Sequence, residues 1–266
     1  MTARKRPEIS AILITQNEAH NLRDCLTSVS WVDEIIIVDA GSADGTLDIA
    51  REYTEKIYQN PWPGFAAQKQ FGLDRATKPW ALSIDADERV TPELRNEIVA
   101  LLSSSEIPHS GYAIPRLSTF LGKFIYHCGW YPGYQLRLFR REVTRLSPAR
   151  VHEGFLVDGS VDNLKNHFLH YTHPTLAESL KRLNRYSSLE AADRVARKRV
   201  HWWDMIAHPV AAFFNKYIGL RGYKDGMHGF LLSAVTAMVK MALYMKIWEM
   251  QNTHSSTTPP AQVGTH

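Results

Sequence analysis

Asp85 and Asp87 stand two residues apart, directly after the largely apolar run Trp80–Ile84. Where a strand gives way to a loop, carboxylates at i and i+2 can converge on one ligand. Hard oxygen donors of this kind suit Mg²⁺ or Mn²⁺, and such an ion neutralises phosphate charge. A capping or turn role for Asp87 and Glu88 is the plainer alternative, because D-x-D is a short motif.

Two further polar clusters follow apolar runs. Thr15-Gln16-Asn17-Glu18 comes after the β-branched run Ile9–Ile14. Asp39-Ala40-Gly41-Ser42-Ala43-Asp44-Gly45-Thr46 comes after Glu34–Val38. Ligands of open parallel sheets bind at the carboxyl ends of the strands, so three such clusters predict one shared site. Asp39 at a strand end can accept hydrogen bonds from a uracil or ribose. Gly41 and Gly45 permit tight turns, and a helix opening at Thr46 favours anionic groups. No Gly-Lys-Ser/Thr follows, which excludes a P-loop, and the absence of G-x-G-x-x-G excludes a dinucleotide fingerprint.

The elements that must position these clusters are legible as alternating patterns. Strands are expected at Ile9–Ile14, Glu34–Asp39, Ile57–Tyr58 and Trp80–Asp85. Helices are expected around Leu22, Cys25, Leu26 and Val29, over Thr46–Glu55 and over Phe65–Ala76. Thr91 followed by Pro92 reads as an N-cap and first helical residue, with Leu94, Ile98 and Leu101 on one face. Strands alternating with helices imply an α/β fold with a mainly parallel sheet flanked by helices. Gly111 to Tyr171 is rich in aromatics, Gly and Pro, and predicts short strands and loops. From Thr175 the chain turns helical again, with Leu176, Leu180, Leu183 and Tyr186 in one stripe. The domain reading is 1–172 for the α/β domain that carries the three clusters, 173–250 for a basic, amphipathic helical region, and 251–266 for a disordered tail.

Composition bounds the setting. Hydrophobic residues make up 44% and charged residues 22%, ordinary for a globular chain. The two cysteines, Cys25 and Cys128, have no paired spacing, which fits a reducing compartment and neither a disulfide scaffold nor a zinc ribbon. Met1 to Pro7 precedes no signal-type apolar run, so a cytoplasmic protein is expected. Net charge is +4, yet Lys181 to Lys224 carries ten Lys or Arg against three acids. That surplus points to an acidic partner, such as an anionic membrane surface, a phosphorylated glycan or nucleic acid, or else to a solvated helix face. The uncharged stretch Gly226–Val239 has fourteen residues, short of the roughly 20 of a membrane span, so a core or in-plane helix is expected.

Four segments, ISAILITQNEAHNL, EIIIVDAGSADGT, WPGFAAQKQFGLDRA and WALSIDADERV, together resemble the GT-A fold glycosyltransferases of family 2 in order and spacing. Gln135-Leu136-Arg137-Leu138-Phe139-Arg140 and Val151-His152-Glu153-Gly154 resemble a narrower bacterial subgroup that includes the lipopolysaccharide core β-1,4-glucosyltransferases acting on inner-core heptose. The likeness runs to about Glu249. It implies a GT-A (Rossmann-like) domain with a C-terminal helical extension, and inverting transfer of a single sugar, best glucose from UDP-glucose. It also implies a Mg²⁺ or Mn²⁺ cofactor and a location on the cytoplasmic face of the inner membrane. By position, Thr15, Asn17, Glu18 and Asp39 hold the nucleoside, Lys69 sits near the nucleotide, Asp85 near the ribose or sugar, and Asp87 binds the metal. Q-x-x-R-W and a multi-helix membrane block are absent from the sequence, which disfavours polymer synthesis.

Inversion needs one in-line displacement, with a base taking the acceptor proton and a metal stabilising the leaving diphosphate. Glu153 is the candidate base, with Asp158 and Glu88 as lesser candidates. His152 or His170 could complete a metal shell. Arg137 and Arg140, three apart in a strand-like run, should face opposite ways, one toward phosphate. Trp130, Tyr131, Pro132 and Tyr134 read equally as sugar platforms or as core. Trp202, Trp203, Phe213 and Phe214 beside basic residues suit interfacial docking or a homo-oligomer contact.

Other classes fit less well. A haloacid dehalogenase-like phosphatase wants Thr or Val where Arg89 stands, and a nucleotidyltransferase wants a Gly-rich, Arg-containing loop where TQNEAHN stands. No nucleic-acid module is visible. The open alternatives are a transferase with another donor or acceptor, and a non-catalytic nucleotide-sugar-binding scaffold.

Overall fold

The computed structural model describes residues 8–147, 154–197 and 199–253. His152, Glu153 and the 254–266 tail lie outside the described residues. The chain divides into two compact units, residues 1–118 with 131–172, and residues 119–130 with 173–266.

In chain order the first unit begins β1 (Ile9–Thr15), α1 (Ala19–Val29), β2 (Glu34–Asp39), α2 (Thr46–Arg51), β3 (Ile57–Gln59), α3 (Phe65–Leu73) and β4 (Trp80–Ser83). It continues with β5 (Glu88–Val90), α4 (Pro92–Ser103), β6 (Gly111–Ile114) and the start of β7 (Arg116–Phe120). After the short β8 (Lys123–Phe124) come β9 (Gln135–Arg140), β10 (Thr144–Leu146), β11 (Phe155–Val157), β12 (Val161–Asn163) and β13 (Phe168–His170). The main sheet has seven strands in the order β12-β6-β9-β4-β1-β2-β3. Its β4-β1-β2-β3 half is parallel throughout, while β9 runs antiparallel to both β4 and β6. A second sheet orders β5-β13-β7-β8.

Period-two alternation in β1 feeds both faces of the sheet. Ile9, Ala11 and Leu13 join Leu22, Cys25, Leu26 and Val29 of α1 and Leu94 and Ile98 of α4 in one core. Ile12, on the other face, packs with Val38, Leu73, Ala81 and Phe139 in the second. Helix α3 lies so close to the sheet that a Cβ on Gly72 would stand 2.6 Å from the Ile12 side chain. The expected cap at Thr91 forms, its hydroxyl accepting from Leu94 N at 3.2 Å. Helix α2 ends at Arg51, four residues before the expected Glu55, where Ala50 O accepts from Tyr53 and Thr54 in a tightened turn.

The second unit contains α5 (Leu176–Arg194), α6 (Asp204–Phe214), a π-helical turn at Asn215–Gly219, and α7 (Met227–Asn252). Residues 119–130, read from sequence as part of the 1–172 domain, belong to this unit. Asp225 holds them by accepting from His127 N at 2.9 Å and pairing with His127 Nδ1 at 3.2 Å. The expected stripe on α5 is not its buried face: Leu176 and Tyr186 are exposed, and Ser179, Ser187 and Ala191 are buried. Small residues let α7 approach closely, and Lys246 on α7 donates to Asn184, Ser187 and Ser188. At 26 residues, α7 is long and apolar enough to cross a membrane by length and composition alone, although Lys240 ends its uncharged run. Leu232, Ser233, Leu243, Tyr244 and Ile247 on one of its sides are buried.

Candidate active site

Strands β4, β1 and β2 are neighbours and parallel, so their carboxyl ends share one rim. Thr15 pairs with Asp39 in register, and the Thr15 hydroxyl donates to Asp39 Oδ1 at 3.2 Å. Asp39 is fully buried. Its carboxylate accepts from Gly41 N and Ser42 N, both at 2.8 Å, and from the Ser42 hydroxyl at 2.5 Å. Gly41, at φ +88°, supplies the left-handed turn this wrap requires. Asn17, also left-handed at φ 55°, ties the neighbouring loop on: its Oδ1 accepts from Ala43 N and its N donates to Ser42 Oγ, both at 2.8 Å. Glu18 N donates to the Thr46 hydroxyl at 2.9 Å, and Glu18 Oε2 accepts from Asn21 at the same distance. The first two clusters thus form one cross-linked rim.

Asp85 lies beyond β4 between two cations. Lys69 of α3 reaches Oδ1 at 2.9 Å and Arg137 of β9 reaches Oδ2 at 2.5 Å. Burial alone would raise the Asp85 pKa, but these two charges override it and hold the carboxyl well below the usual range. Arg137 also bonds Glu88 Oε1 at 2.9 Å, and Arg116 stands 3.5 Å from the same oxygen. The other Glu88 oxygen accepts from Asp85 N at 3.0 Å. Glu88 is fully buried, so this lesser candidate base is instead the anchor of the Asp85 loop. Arg137 Nε has no hydrogen-bond partner among the described residues and so keeps donor capacity. Arg140, on the opposite face of β9, stacks 5.0 Å over the Trp80 ring.

Asp87 is separate from that network. Its Oδ2 is 3.2 Å from His170 Nε2, and its carboxylate is partly exposed. The second sheet makes this contact: β13 runs antiparallel to β5, with His170 opposite Glu88, and parallel to β7, with His170 opposite Ser118. Ser118 Oγ meets His170 Nδ1 at 2.9 Å, fixing the ring with Nε2 toward Asp87. Among the described residues, no cluster of three or more His, Cys, Asp or Glu is placed to hold a metal by protein donors alone. A carboxylate and an imidazole, with phosphate oxygens and water filling the other positions, do suit an ion that arrives with a nucleotide.

Asp158 is exposed and paired with Arg145 at 3.0 Å on the β10–β11 hairpin. Trp130 packs edge-on against Phe120 within the second unit, whereas Tyr131 meets the His167 ring in the first. Tyr134 is exposed. Cys25 is buried against the Asp85 carbonyl, and burial pushes its thiol well above the ordinary range, which makes it an inert core group.

Residues 10–144 match the family described as Glycosyl transferase family 2. The lipopolysaccharide core biosynthesis glycosyltransferase LpsC of Rhizobium meliloti (strain 1021) is 32% identical over 254 residues, covering 91% of this chain and 92% of its own. The chain belongs to glycosyltransferase family 2. An uncharacterized glycosyltransferase of Rickettsia felis is 28% identical, covering 91% of this chain and 90% of its own. Among solved structures, the mannosyltransferase PcManGT from Pyrobaculum calidifontis, in complex with GDP-Man and Mn²⁺, aligns at a TM-score of 0.49 and 16% identity over 96% of this chain and 89% of that one. This family 2 transferase has a GT-A-like fold, its mixed α/β sheet carrying the rim just described.

Proposed function

We propose that this family 2 enzyme transfers one sugar, glucose from UDP-glucose, onto an inner-core heptose of lipopolysaccharide at the cytoplasmic face of the inner membrane. The observation that carries the reading is the rim where the Thr15–Glu18, Asp39–Thr46 and Asp85–Asp87 clusters meet. The acceptor class is supported by the relative named for lipopolysaccharide core biosynthesis, which matches this chain nearly end to end.

In this reading the cross-linked loops of β1 and β2 cradle the nucleoside. Lys69 and Arg137 hold Asp85 ionised and rigid beside the ribose or sugar, and Arg137 Nε offers a further donor. Asp87 and His170 would hold Mg²⁺ or Mn²⁺, and such an ion would supply charge neutralisation for the departing diphosphate; His152, outside the described residues, is the other imidazole candidate. Glu153, also outside them, takes the proton of the acceptor hydroxyl. The acceptor oxygen then bonds to the anomeric carbon as the bond from that carbon to the phosphate oxygen breaks, which inverts the configuration.

The test is a donor screen on a truncated lipopolysaccharide acceptor read by mass spectrometry. A hexose added from UDP-glucose alone is the expected result, and another productive donor replaces the glucose assignment. Asp87→Ala should lower transfer by about two to three orders of magnitude. Glu153→Gln should retain UDP-glucose binding and lose transfer; normal turnover in that variant removes Glu153 as the base.

A further inference from the structure

Unit two exposes a continuous apolar row that no part of the transfer chemistry uses. Trp202, in the turn before α6, is followed at every fourth residue by Ile206, Val210 and Phe214 of α6 and Ile218 of the π-helical turn. All five are exposed, Trp202 at 68% and Ile218 at 57%. Single exposed apolar side chains are ordinary, but a full helical row of them marks a contact surface.

Within the segment that carries the row, the exposed charges have one sign. Residues 199–228 contain two acids, Asp204 and Asp225, and both are buried. Asp204 accepts from His201 N at 2.9 Å and pairs with His208 at 3.1 Å. Asp225 is engaged by His127, and its carbonyl accepts from Lys123 at 3.0 Å. Arg199 before α6, and Arg221 and Lys224 after it, are exposed. The segment therefore shows solvent an apolar stripe with cations at both ends.

We propose that α6 and its following turn form an in-plane docking element for an anionic lipid surface. The apolar row enters the acyl boundary, and Arg199, Arg221 and Lys224 meet lipid phosphates. Charge decides this occupant over a second copy of the chain. Two rows packed antiparallel would set Arg199 against Arg221 and Lys224, and packed in parallel would set each cation against itself. Spanning by α7 is a poorer use of the same unit. Lys240 and Lys246 on α7 bond α5, whose exposed Lys181, Arg182 and Arg185 would have to follow it into hydrocarbon.

The experiment is vesicle flotation of the purified full chain with neither donor nor acceptor, so its failure leaves the proposed transfer reaction untouched. Phosphatidylcholine vesicles with and without phosphatidylglycerol are the probes. The wild type should float with the anionic vesicles and stay behind with the neutral ones. Ile206→Glu/Phe214→Glu should lower partitioning by at least about tenfold. Arg221→Gln/Lys224→Gln should lower it about fivefold for each cation removed. Both should keep the wild-type unfolding transition, because every substituted side chain is exposed. No flotation of the wild type, equal flotation with both vesicle types, or wild-type flotation of Ile206→Glu/Phe214→Glu would each overturn the proposal. A wild-type dimer in light scattering that Ile206→Glu/Phe214→Glu dissolves would assign the row to a second copy instead.

Discussion

The Asp85 network and the α6 segment both draw carboxylates inward, with opposite results at the surface. In the first unit, Asp85 and Glu88 meet Arg137, Lys69 and Arg116, so cations and anions cancel inside the protein and fix a loop. In the second, Asp204 and Asp225 are met by histidines and backbone N–H groups, while the neighbouring Arg and Lys face outward. One arrangement builds a rigid polar rim; the other leaves a cationic, apolar surface. The difference teaches that ten basic residues in one stretch of sequence say little until their acidic neighbours are located.

The sharpest way to break the comparison is to remove the cation at its centre. Arg137→Met leaves Glu88 buried with only the more distant Arg116 and should cost about 3–5 kcal/mol of stability in urea unfolding. A loss of less than 1 kcal/mol, roughly that of an exposed pair, would mean that the network is screened by water.

Glu34, at the opposite end of β2 from Asp39, tests the same logic away from the rim. Burial by itself raises its pKa, but Lys56, Ser10 and the N–H and hydroxyl of Thr77 overrule burial and bring it down to about 2. The folded value lies below the unfolded one, so its contribution is present above about pH 4.5 and fades as pH falls toward about 2. Glu34→Gln should lose about 2–3 kcal/mol at neutral pH and show a flatter stability profile over that acidic window. A parallel profile would remove Glu34 as the titrating group.

A smaller effect separates Asp87 from its neighbour. His170→Ala should weaken Mn²⁺ binding in the presence of UDP by about 10- to 100-fold, measured calorimetrically. Unchanged affinity would leave the metal to Asp87 and the 152 position. Smallest of all is the expected effect of Ile206→Glu/Phe214→Glu on stability, within about 0.5 kcal/mol in the same urea assay, since an exposed row contributes little to the fold.

The rim was legible in the sequence because its parts are local. β1, β2 and β4 are apolar runs ending in polar clusters, and parallel pairing aligns such ends whatever the loops do between them. Thr91-Pro92 likewise announced α4 through capping chemistry that spans three residues. The contact between His170 and Asp87 was not legible. It depends on β13 pairing with both β5 and β7, and the three-residue FLH strand carries no pattern long enough to reveal its partners. The burial of Glu88 escaped for a related reason: a carboxylate beside a D-x-D looks like chemistry until Arg137 and Arg116 arrive from other strands. On α5, apolar spacing pointed to Leu176 and Tyr186, whereas close helix packing selected Ser179, Ser187 and Ala191.

The sequence by itself determined the family and the polar clusters that follow β1, β2 and β4, Asp85 and Asp87 among them, because periodicity and strand-end motifs are properties of neighbouring residues. Tertiary structure alone decided which of those carboxylates are committed to internal ion pairs, which histidine faces Asp87, and which apolar residues remain uncovered. Each of those outcomes depends on the solvent and charge environment of a side chain, and that is supplied by residues distant in the chain.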